Sequence, residues 1–571
     1  MDFFVSFNFY KENFMKKILA SLAAVFILCL SSVSARGKQE LIESGSWIYD
    51  SLTAISLESG ILNFSGTAPL TIQQVNLILD EIDYDSLSES GRADFDRIVR
   101  YCAEEPLALV FSDIVKVGIE PELNIEGFYK TNSDLDWVWD RYERSHLLDA
   151  PFSINVADFI TMKMDVFLGQ NKGASLHNFN YTNILYSADD FDINFPDTGY
   201  FSTGKMLTDK TGVKFGIGRG TRSVGRTLTG SMIWSDYLTG CSYADLQIFS
   251  PNFKYTGGVT QFNVDKYFYH HQIDARFFKK FQITFLEGLL VYAPMELRYL
   301  NPWTIFHGFA AWRDYDSTDD DPESNTCDYF GINLQFTPFK NTRFYGLFAM
   351  TQYQTPYETS HYSDSPTPNG LGFQGGNETY IPYGRGRFHF AFEGSWADPY
   401  LYIKESPNWS MVRTYSENIG DKAIFYEWLG SPFGPDTISA ELTFGYEVPD
   451  KWSLDFVYLY MARGEQSGTS VFDKIDWGGQ KTYFDTEDSS YTKNWAYPDK
   501  SQNNWEELRD AICPTGTPEF VSRFSLRGSY RFTRKVKMTF QPSYVVILNH
   551  NHEHGETAFG FEVAGALSIA F

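Results

Sequence analysis

The sequence predicts an all-β protein, a large antiparallel transmembrane β-barrel of about 18–20 strands with a small N-terminal periplasmic α-helical segment. Three observations predict this fold. Segments of roughly ten residues alternate apolar and polar side chains, the chain ends on such a segment, and the connections alternate between short and long. The composition agrees, because 17% of the 571 residues are aromatic and 21% are charged. The net charge of −25 argues against a nucleic-acid partner, since proteins that bind nucleic acid carry basic surfaces.

The N-terminus has the layout of an export signal. Met15 and the two lysines after it precede an apolar run, Ile18–Leu30, and a small-residue cleavage site that ends at Ala35. We therefore expect residues 1–35 to be a signal peptide region whose true start is Met15. The apolar run is shorter than the roughly 20 residues of a membrane-spanning helix, which disfavours an uncleaved anchor. Lipidation at Cys29 is also disfavoured, because a leucine precedes it where a small residue is expected.

Four cysteines remain after the expected cleavage: Cys102, Cys241, Cys327 and Cys513. Their wide spacing matches no metal-binding motif. An oxidising compartment would permit disulfides, and the sequence leaves all three possible pairings open.

Residues 36–116 predict a helical segment in the periplasm. Thr71 is placed to cap a helix whose apolar residues recur at helical spacing. These residues are Ile72, Val75, Ile78, Leu79 and Ile82. The simplest interpretation is a small helical bundle that packs against the following domain. The alternative is a cell-wall-binding module with peptidoglycan as its partner, because the layout resembles one copy of an S-layer-homology-type repeat.

Residues 117–571 are assigned to the barrel, because the apolar period changes there from the helical value to two residues. Clear rows are Ile160–Leu168, Ile438–Tyr446, Phe524–Phe532, Val536–Phe540 and Phe559–Phe571. A soluble β-sandwich would bury the apolar face of such rows as its core, whereas a membrane barrel turns that face to lipid. The rows are rich in aromatic residues, as the girdles of membrane barrels are, and this favours the barrel.

The chain ends on an alternating strand that includes Gly565, Leu567, Ile569 and Phe571. A terminal aromatic residue on such a strand resembles the signal that outer-membrane barrels present to their assembly machinery. We therefore expect the barrel-assembly machinery and outer-membrane lipid to be partners of this chain.

Connections of two lengths separate the predicted strands. The short ones are Gln170–Ala174, Gly220–Gly225, Ser250–Asn252, Pro449–Lys451 and Thr533–Lys535, and the long ones lie near Ala188–Lys210, Ala293–Cys327, Gln354–Tyr380 and Gly464–Thr517. Short periplasmic turns and long outer loops are typical of outer-membrane barrels. An even number of strands then places both the C-terminus and the helical segment in the periplasm.

No catalytic motif is found, and the sequence predicts no enzyme, no cofactor and no metal site. His550, His552 and His554 form the densest set of possible metal ligands, and the acidic run Asp314–Glu323 is a second candidate. Both are interpreted as polar parts of outer loops.

One row of cations is predicted to line the lumen. Arg385, Arg387 and His389 alternate with phenylalanines that suit lipid, so the cations should point inward. Glu393 and Glu441 are the carboxylates expected to balance them. The alternative function for this row is a selective path for sugars or anions.

Several short motifs together resemble the Wzi-like capsule-assembly outer-membrane proteins. They are "GIGRG" at Gly216–Gly220, "YLNPW" at Tyr299–Trp303 and "PFGP" at Pro432–Pro435, and the helical front followed by a barrel also matches. The resemblance implies a barrel in the cell outer membrane that binds or organises surface polysaccharide without catalysis. It carries no sugar-binding residue across. The alternatives are a porin or substrate-selective channel, and an envelope-anchoring protein that binds the cell wall.

Overall fold

The structure is a computed structural model. It describes residues 36–104, 107–110, 114–133, 135, 145–170, 181–186, 191–192, 196–307, 326–361, 367–404, 408–417, 423–466 and 505–571. The predicted export signal and the acidic run Asp314–Glu323 lie outside these residues.

The described residues form five α-helices, three 3₁₀ turns and 28 strand segments. The helices are α1 (Trp47–Glu58), α2 (Ile72–Leu79), α3 (Glu89–Ala103), α4 (Pro356–His361) and α5 (Trp505–Arg509), and the 3₁₀ turns are Tyr84–Ser86, Leu297–Leu300 and His550–His552. None of the described helices has the length and apolar character needed to cross a membrane.

The strands fall into a first group of mostly short segments and a second group of mostly long ones. The first group is β1 (Leu41–Ile42), β2 (Thr67–Ala68), β3 (Leu70–Thr71), β4 (Ala108–Val110), β5 (Val115–Ile119), β6 (Glu122–Lys130), β7 (Leu148–Asp149), β8 (Phe152–Val156), β9 (Ile160–Met164) and β10 (Phe167–Leu168). The second group, in which β13, β22 and β23 are short, is β11 (Gly199–Met206), β12 (Gly212–Gly220), β13 (Ser223–Val224), β14 (Cys241–Ser250), β15 (Phe253–Asn263), β16 (Lys266–Phe277), β17 (Phe281–Tyr292), β18 (Thr326–Phe336), β19 (Thr342–Gln352), β20 (Gly370–Tyr383), β21 (Gly386–Ala397), β22 (Val412–Glu417), β23 (Ala423–Trp428), β24 (Thr437–Val448), β25 (Trp452–Arg463), β26 (Glu519–Thr533), β27 (Val536–Leu548) and β28 (Thr557–Ala570).

One antiparallel sheet contains 22 of these segments. Three pairs of successive segments each form one barrel strand that is interrupted by two residues. These pairs are β5–β6, β7–β8 and β9–β10. Pro121 and Pro151 lie in two of these gaps, and proline interrupts a ladder because it has no N–H to donate. With β4 as a short extension beside β5, the 22 segments form 18 barrel strands, as the sequence predicts.

The ladders return to their starting strand. The last strand, β28, pairs with β6 of the first barrel strand. β5 pairs with β8 of the second barrel strand, β8 pairs with β9 of the third, and β9 pairs with β11 of the fourth. From β11 onward each barrel strand pairs with the next one, up to β27 with β28. The sheet therefore has a cyclic order of strands, the arrangement that leaves a barrel without free edges.

The faces of the wall have the polarity of a membrane barrel. In β24 the side chain of Glu441 is on the inner face and only 2% exposed, whereas its neighbours Leu442 and Phe444 are 47% and 44% exposed. The same alternation holds in the middle of β21, where Phe390 and Phe392 point outward. A soluble sandwich would bury the apolar row, so the sandwich interpretation is excluded.

The connections confirm the predicted asymmetry and correct several of its details. Short turns follow β14, β24 and β26 as predicted, at Ser250–Asn252, Pro449–Lys451 and Thr533–Lys535. The predicted turn at Gln170–Ala174 lies outside the described residues except for Gln170, which bridges to Phe191, and the next described barrel strand begins at Gly199.

The predicted turn at Gly220–Gly225 is wrong. β13 lies within this stretch, and it pairs with β2 of the N-terminal segment instead of turning into the next barrel strand. Two predicted long loops are shorter than expected, because β11 lies within Ala188–Lys210 and β20 begins within Gln354–Tyr380.

Candidate functional site: the barrel lumen and its plugs

Residues 36–103 fold into a compact helical plug. The side chain of Thr71 accepts a hydrogen bond from Gln74 N (3.1 Å), and the Gln74 side chain accepts one from Thr71 N (3.0 Å). This reciprocal cap confirms Thr71 as the start of α2. The apolar side chains of the three helices are buried against one another, and they include Ile48, Leu52, Ile55, Val75, Ile78 and Ile98.

The helical plug contacts the wall on many sides of the ring. Its wall partners are Lys163 on β9 (3.1 Å to Glu40), Gln247 on β14 (3.0 Å to Gln74), Arg276 on β16 (2.7 Å to Glu81) and Arg387 on β21, which pairs with Asp94. Backbone amides join it to two short turns, because Leu62 N donates to Lys279 O (2.8 Å) and Asn341 N donates to Leu57 O (2.7 Å). The plug therefore spans the mouth that carries the short turns.

A second segment enters from the opposite end. Residues 221–240, here called the inward loop, connect β12 to β14 and fold into the lumen. Glu393 accepts hydrogen bonds from Leu228 N (2.8 Å) and Thr229 N (2.9 Å), and Gln374 accepts one from Met232 N (2.9 Å). Side chains of the inner face thus satisfy backbone groups that would otherwise be buried without partners.

An apolar cluster fills the lumen behind the inward loop. It joins Met232, Ile233 and Trp234 of the loop to Tyr400, Leu401, Tyr402, Ile403, Met411, Val412 and Leu429 of the next inward connection, and to Phe268, Tyr329 and Leu347 of the wall. Lys266 Nζ donates to Val412 O (2.5 Å), which fixes the start of the β22–β23 hairpin against the inner wall. The upper lumen is therefore packed with side chains.

The two inserted segments meet inside the barrel. Thr67 and Ala68 of the plug pair with Val224 and Ser223 of the inward loop. The ladder continues where Gly225 N donates to Gly66 O (3.2 Å). Gly225 has a φ of +89°, which a residue without a Cβ adopts readily.

The residues predicted to line the lumen are spread over separate contacts. Arg387, Glu393 and Glu441 are buried on the inner face, and His389 lies there with 18% of its side chain exposed. Arg387 faces the helical plug, and Glu393 holds the inward loop. Arg385 lies instead in the turn between β20 and β21, where its side chain is 78% exposed.

Two ion-pair networks on the inner face were not identified from the sequence. Glu378 contacts Arg343 (2.7 Å), Arg226 (3.3 Å) and His389 (3.0 Å). Asp245 contacts Lys214 (3.0 Å) and Arg222 (3.1 Å). The signal that could have found them is a charged residue at an inward-facing position of an alternating strand, such as Asp245 within Cys241–Ser250.

A polar cavity of about 580 Å³ remains between the two plugs and the wall. Its lining includes Asp50, Arg226, Arg343, Arg527, Lys537 and Gln541. Both signs of charge are present, so the cavity can hold water or a small polar molecule.

The predicted assembly signal lies on the closing strand. Gly565, Leu567 and Ile569 on β28 stand opposite Gly127, Ile125 and Leu123 on β6. Phe571 N donates to Pro121 O (3.0 Å), so the last residue is joined to the first barrel strand.

The remaining candidates do not form sites in the described residues. His550 and His552 lie in a 3₁₀ turn, where His552 Nδ1 is 2.9 Å from Thr517 O. The described part of the chain does not bring the three loop histidines together as a ligand set. The four cysteines are all buried, and they form no disulfide with one another.

Comparison with solved structures gives a match in fold over most of the chain. The structure superposes on Wzi, an outer-membrane protein involved in group 1 capsule assembly in Escherichia coli and a carbohydrate-binding β-barrel, with a TM-score of 0.56 and 12% identity. The match covers 94% of this chain and 100% of that chain. The chain has the fold of an outer-membrane β-barrel.

Weaker matches are channels. The outer-membrane channel DcaP of Acinetobacter baumannii gives a TM-score of 0.35 and 7% identity over 81% of this chain and 99% of that one. A BenF-like porin from Pseudomonas fluorescens gives a TM-score of 0.37 and 10% identity, over 80% of this chain and 98% of that one. Neither TM-score is high enough to support an argument.

Neither a protein-family model nor a curated protein matches the sequence. Because the identity to Wzi is only 12%, the match supports a shared fold and nothing beyond it.

Proposed function

We propose that this protein lies in the outer membrane and binds or organises surface polysaccharide without catalysing a reaction. The observation that carries the proposal is the filled lumen, in which the helical plug and the inward loop pair with each other through β2 and β13. A barrel filled in this way offers its outer connections as a rigid platform instead of a wide pore. The fold shared with Wzi, which is described as carbohydrate-binding, supports the same function.

The outer end of the barrel offers aromatic side chains that suit a glycan. Trp303, in the connection between β17 and β18, is 89% exposed, and Ile305 beside it is 70% exposed. An indole ring offers a broad apolar face to the C–H groups of a sugar ring, and its N–H can donate to a hydroxyl. We infer that Trp303 is one of the contacts of the glycan.

Polysaccharide binding can be tested on the full chain with matched exposed aromatics. Cells that carry Trp303→Ala should retain less surface polysaccharide than the wild type, and the purified variant should bind polysaccharide from the same cells at least tenfold more weakly. Phe278→Ala is the matched control, because Phe278 is 95% exposed in a short turn at the opposite end of the barrel. Equal retention and equal binding by both variants would contradict the proposed contact, and a wild type that binds no polysaccharide would contradict the function.

A second candidate function is a selective path for small solutes. The observation that favours it is the cavity of about 580 Å³ beside Arg343 and Arg527. Liposomes that contain the protein would then swell in solutions of small sugars and not in solutions of long oligosaccharides. Absence of swelling with every sugar would leave the polysaccharide platform as the function.

The third function, anchoring to the cell wall, receives less support from the structure. The apolar faces of the three helices pack within the plug. Several polar groups of the plug, among them Glu40, Gln74 and Asp94, contact the barrel wall. A peptidoglycan pull-down with the full chain tests it, and specific recovery of the protein would favour the anchor.

A further inference from the structure

A mixed set of nitrogen and oxygen ligands lies where the second barrel strand and β11 are joined to the connections before them. One imidazole nitrogen of His146 and one carboxylate oxygen each from Asp192 and Asp197 lie within 4.8 Å of one another. The His146 Nε2 and Asp197 Oδ2 atoms are 3.6 Å apart. Ligands that bind zinc at about 2.1 Å in a tetrahedral arrangement are about 3.4 Å from each other, so these atoms need to move little to share one ion.

The imidazole of His146 is held in the orientation that a metal ligand needs. Its Nδ1–H donates to Asp149 Oδ1 (3.0 Å), which leaves Nε2 as the acceptor nitrogen on the side of Asp192 and Asp197. A carboxylate on the far nitrogen fixes the tautomer in many zinc sites. The ring also stacks on Phe167, with centroids 3.8 Å apart and planes within 4°.

The backbone around Gly169 is shaped to this imidazole. A Cβ atom at Gly169 would lie 2.3 Å from His146 Cδ2, so only glycine lets the ring pack in this place. Gly169 O also accepts a hydrogen bond from Asp192 N (3.0 Å), which fixes the second ligand beside the first. One residue therefore positions two of the three ligands.

The charges of the site favour a cation. The carboxylates of Asp149, Asp192 and Asp197 all lie next to the His146 ring. Three carboxylates in one place create a negative potential, which a divalent ion would neutralise.

We propose that His146, Asp192 and Asp197 bind a divalent transition metal of the zinc type beside the starts of the second barrel strand and β11. The donor set of one imidazole and two carboxylates suits zinc better than calcium, which prefers oxygen ligands alone. The ion would join the start of the second barrel strand to the long connection before β11. This site is independent of the proposed binding of polysaccharide.

Zinc binding by the full chain in detergent micelles tests the proposal. After treatment with a chelator, the wild type should bind one equivalent of zinc in competition with a chromophoric indicator. The pair of substitutions Asp192→Asn and Asp197→Asn should weaken binding at least a hundredfold, and Gly169→Ala, which removes no ligand, should weaken it about tenfold. His550→Ala with His554→Ala is the matched control, because it removes the other histidine cluster and should leave binding unchanged.

Two further measurements keep the test decisive. Heat-modified migration in gels identifies variants that have lost the folded barrel, and the absorption of bound cobalt(II) in the wild type reports whether nitrogen and oxygen ligands surround the ion. A wild type that binds no zinc, or a carboxylate variant that is folded and binds zinc as the wild type does, would overturn the proposal. His146 would then serve only as a hydrogen-bond partner of Asp149.

Discussion

The two plugs close the lumen by different interactions. The helical plug is held to the wall mainly by buried ion pairs and hydrogen bonds, such as Arg387 with Asp94 and Arg276 with Glu81. The inward loop is held mainly by an apolar cluster around Ile233 and Trp234. Charged contacts fix a single orientation of a segment, whereas apolar contacts contribute stability in proportion to the area that they bury. The comparison indicates that the plug is positioned by charge and the inward loop by packing.

The largest effect is expected from breaking the charged contact. Arg387 contacts Asp94 on α3 and Glu447 on β24, and all but 4% of its side chain is buried. Arg387→Ser leaves Asp94 buried without its cation, which costs about 3–5 kcal/mol. A urea titration in detergent micelles measures the loss in the free energy of unfolding.

The neighbouring cation provides the control for that prediction. Arg385 lies two residues earlier in an exposed turn, so Arg385→Ser should change the free energy of unfolding by less than about 0.5 kcal/mol. Equal effects of the two substitutions would mean that Arg387 does not hold the plug.

Truncating the apolar contact should have an effect of similar or slightly smaller size. Ile233 is fully buried, and a Cβ atom at Gly331 on β18 would come within 2.6 Å of its side chain. Ile233→Ala should therefore cost about 2–5 kcal/mol. The loss should be the same at low and high salt, and a loss that high salt removes would contradict an apolar contact.

The facing of the wall can be tested on the same strand as Arg387. Phe390 is 41% exposed on the outer face of β21. An arginine on the lipid-facing side costs about 2–4 kcal/mol at the middle of the membrane, so Phe390→Arg should reduce insertion into lipid vesicles. Phe390→Leu is the matched control and should insert as the wild type does. Normal insertion of the arginine variant would mean that this row does not meet lipid.

The smallest effect is expected at the partly exposed edge of the helical plug. Arg97 Nε is 3.6 Å from Asp450 Oδ1, and the two side chains are 18% and 31% exposed. Asp450→Asn should cost about 0.2–1 kcal/mol, because water screens such pairs. Asparagine tolerates the positive φ of 62° at this turn, so the loss reports the charge. Urea titrations should show the difference at low salt and lose it at high salt.

The wall could be predicted from the sequence because its signal is local. Alternation along Ile438–Tyr446 fixes which side chains share a face, and the same pattern in each row gives the fold. The inner contacts could not be predicted in this way. The charges of Glu378 and Asp94 are visible in the sequence, but their partners lie on other strands or in the plug.

The insertion of residues 221–240 was missed for a related reason. A glycine-rich stretch at Gly220–Gly225 has the composition of a tight turn, and the same residues also suit a strand that passes close to another backbone. Only the pairing of β13 with β2, more than 150 residues apart in the chain, distinguishes the two. The ligands of the proposed metal site escaped notice because His146 and Asp197 are likewise distant in sequence.

The central claim is that two plugs close the lumen, and single-channel recording in planar bilayers tests it most directly. The wild type should show no steady current, because the helical plug and the inward loop meet inside the barrel. The double variant Arg387→Ser with Arg276→Ser loses wall pairs on β21 and β16 and should show long open events. A large steady current through the wild type, or silence from a double variant that is folded and inserted, would contradict the account.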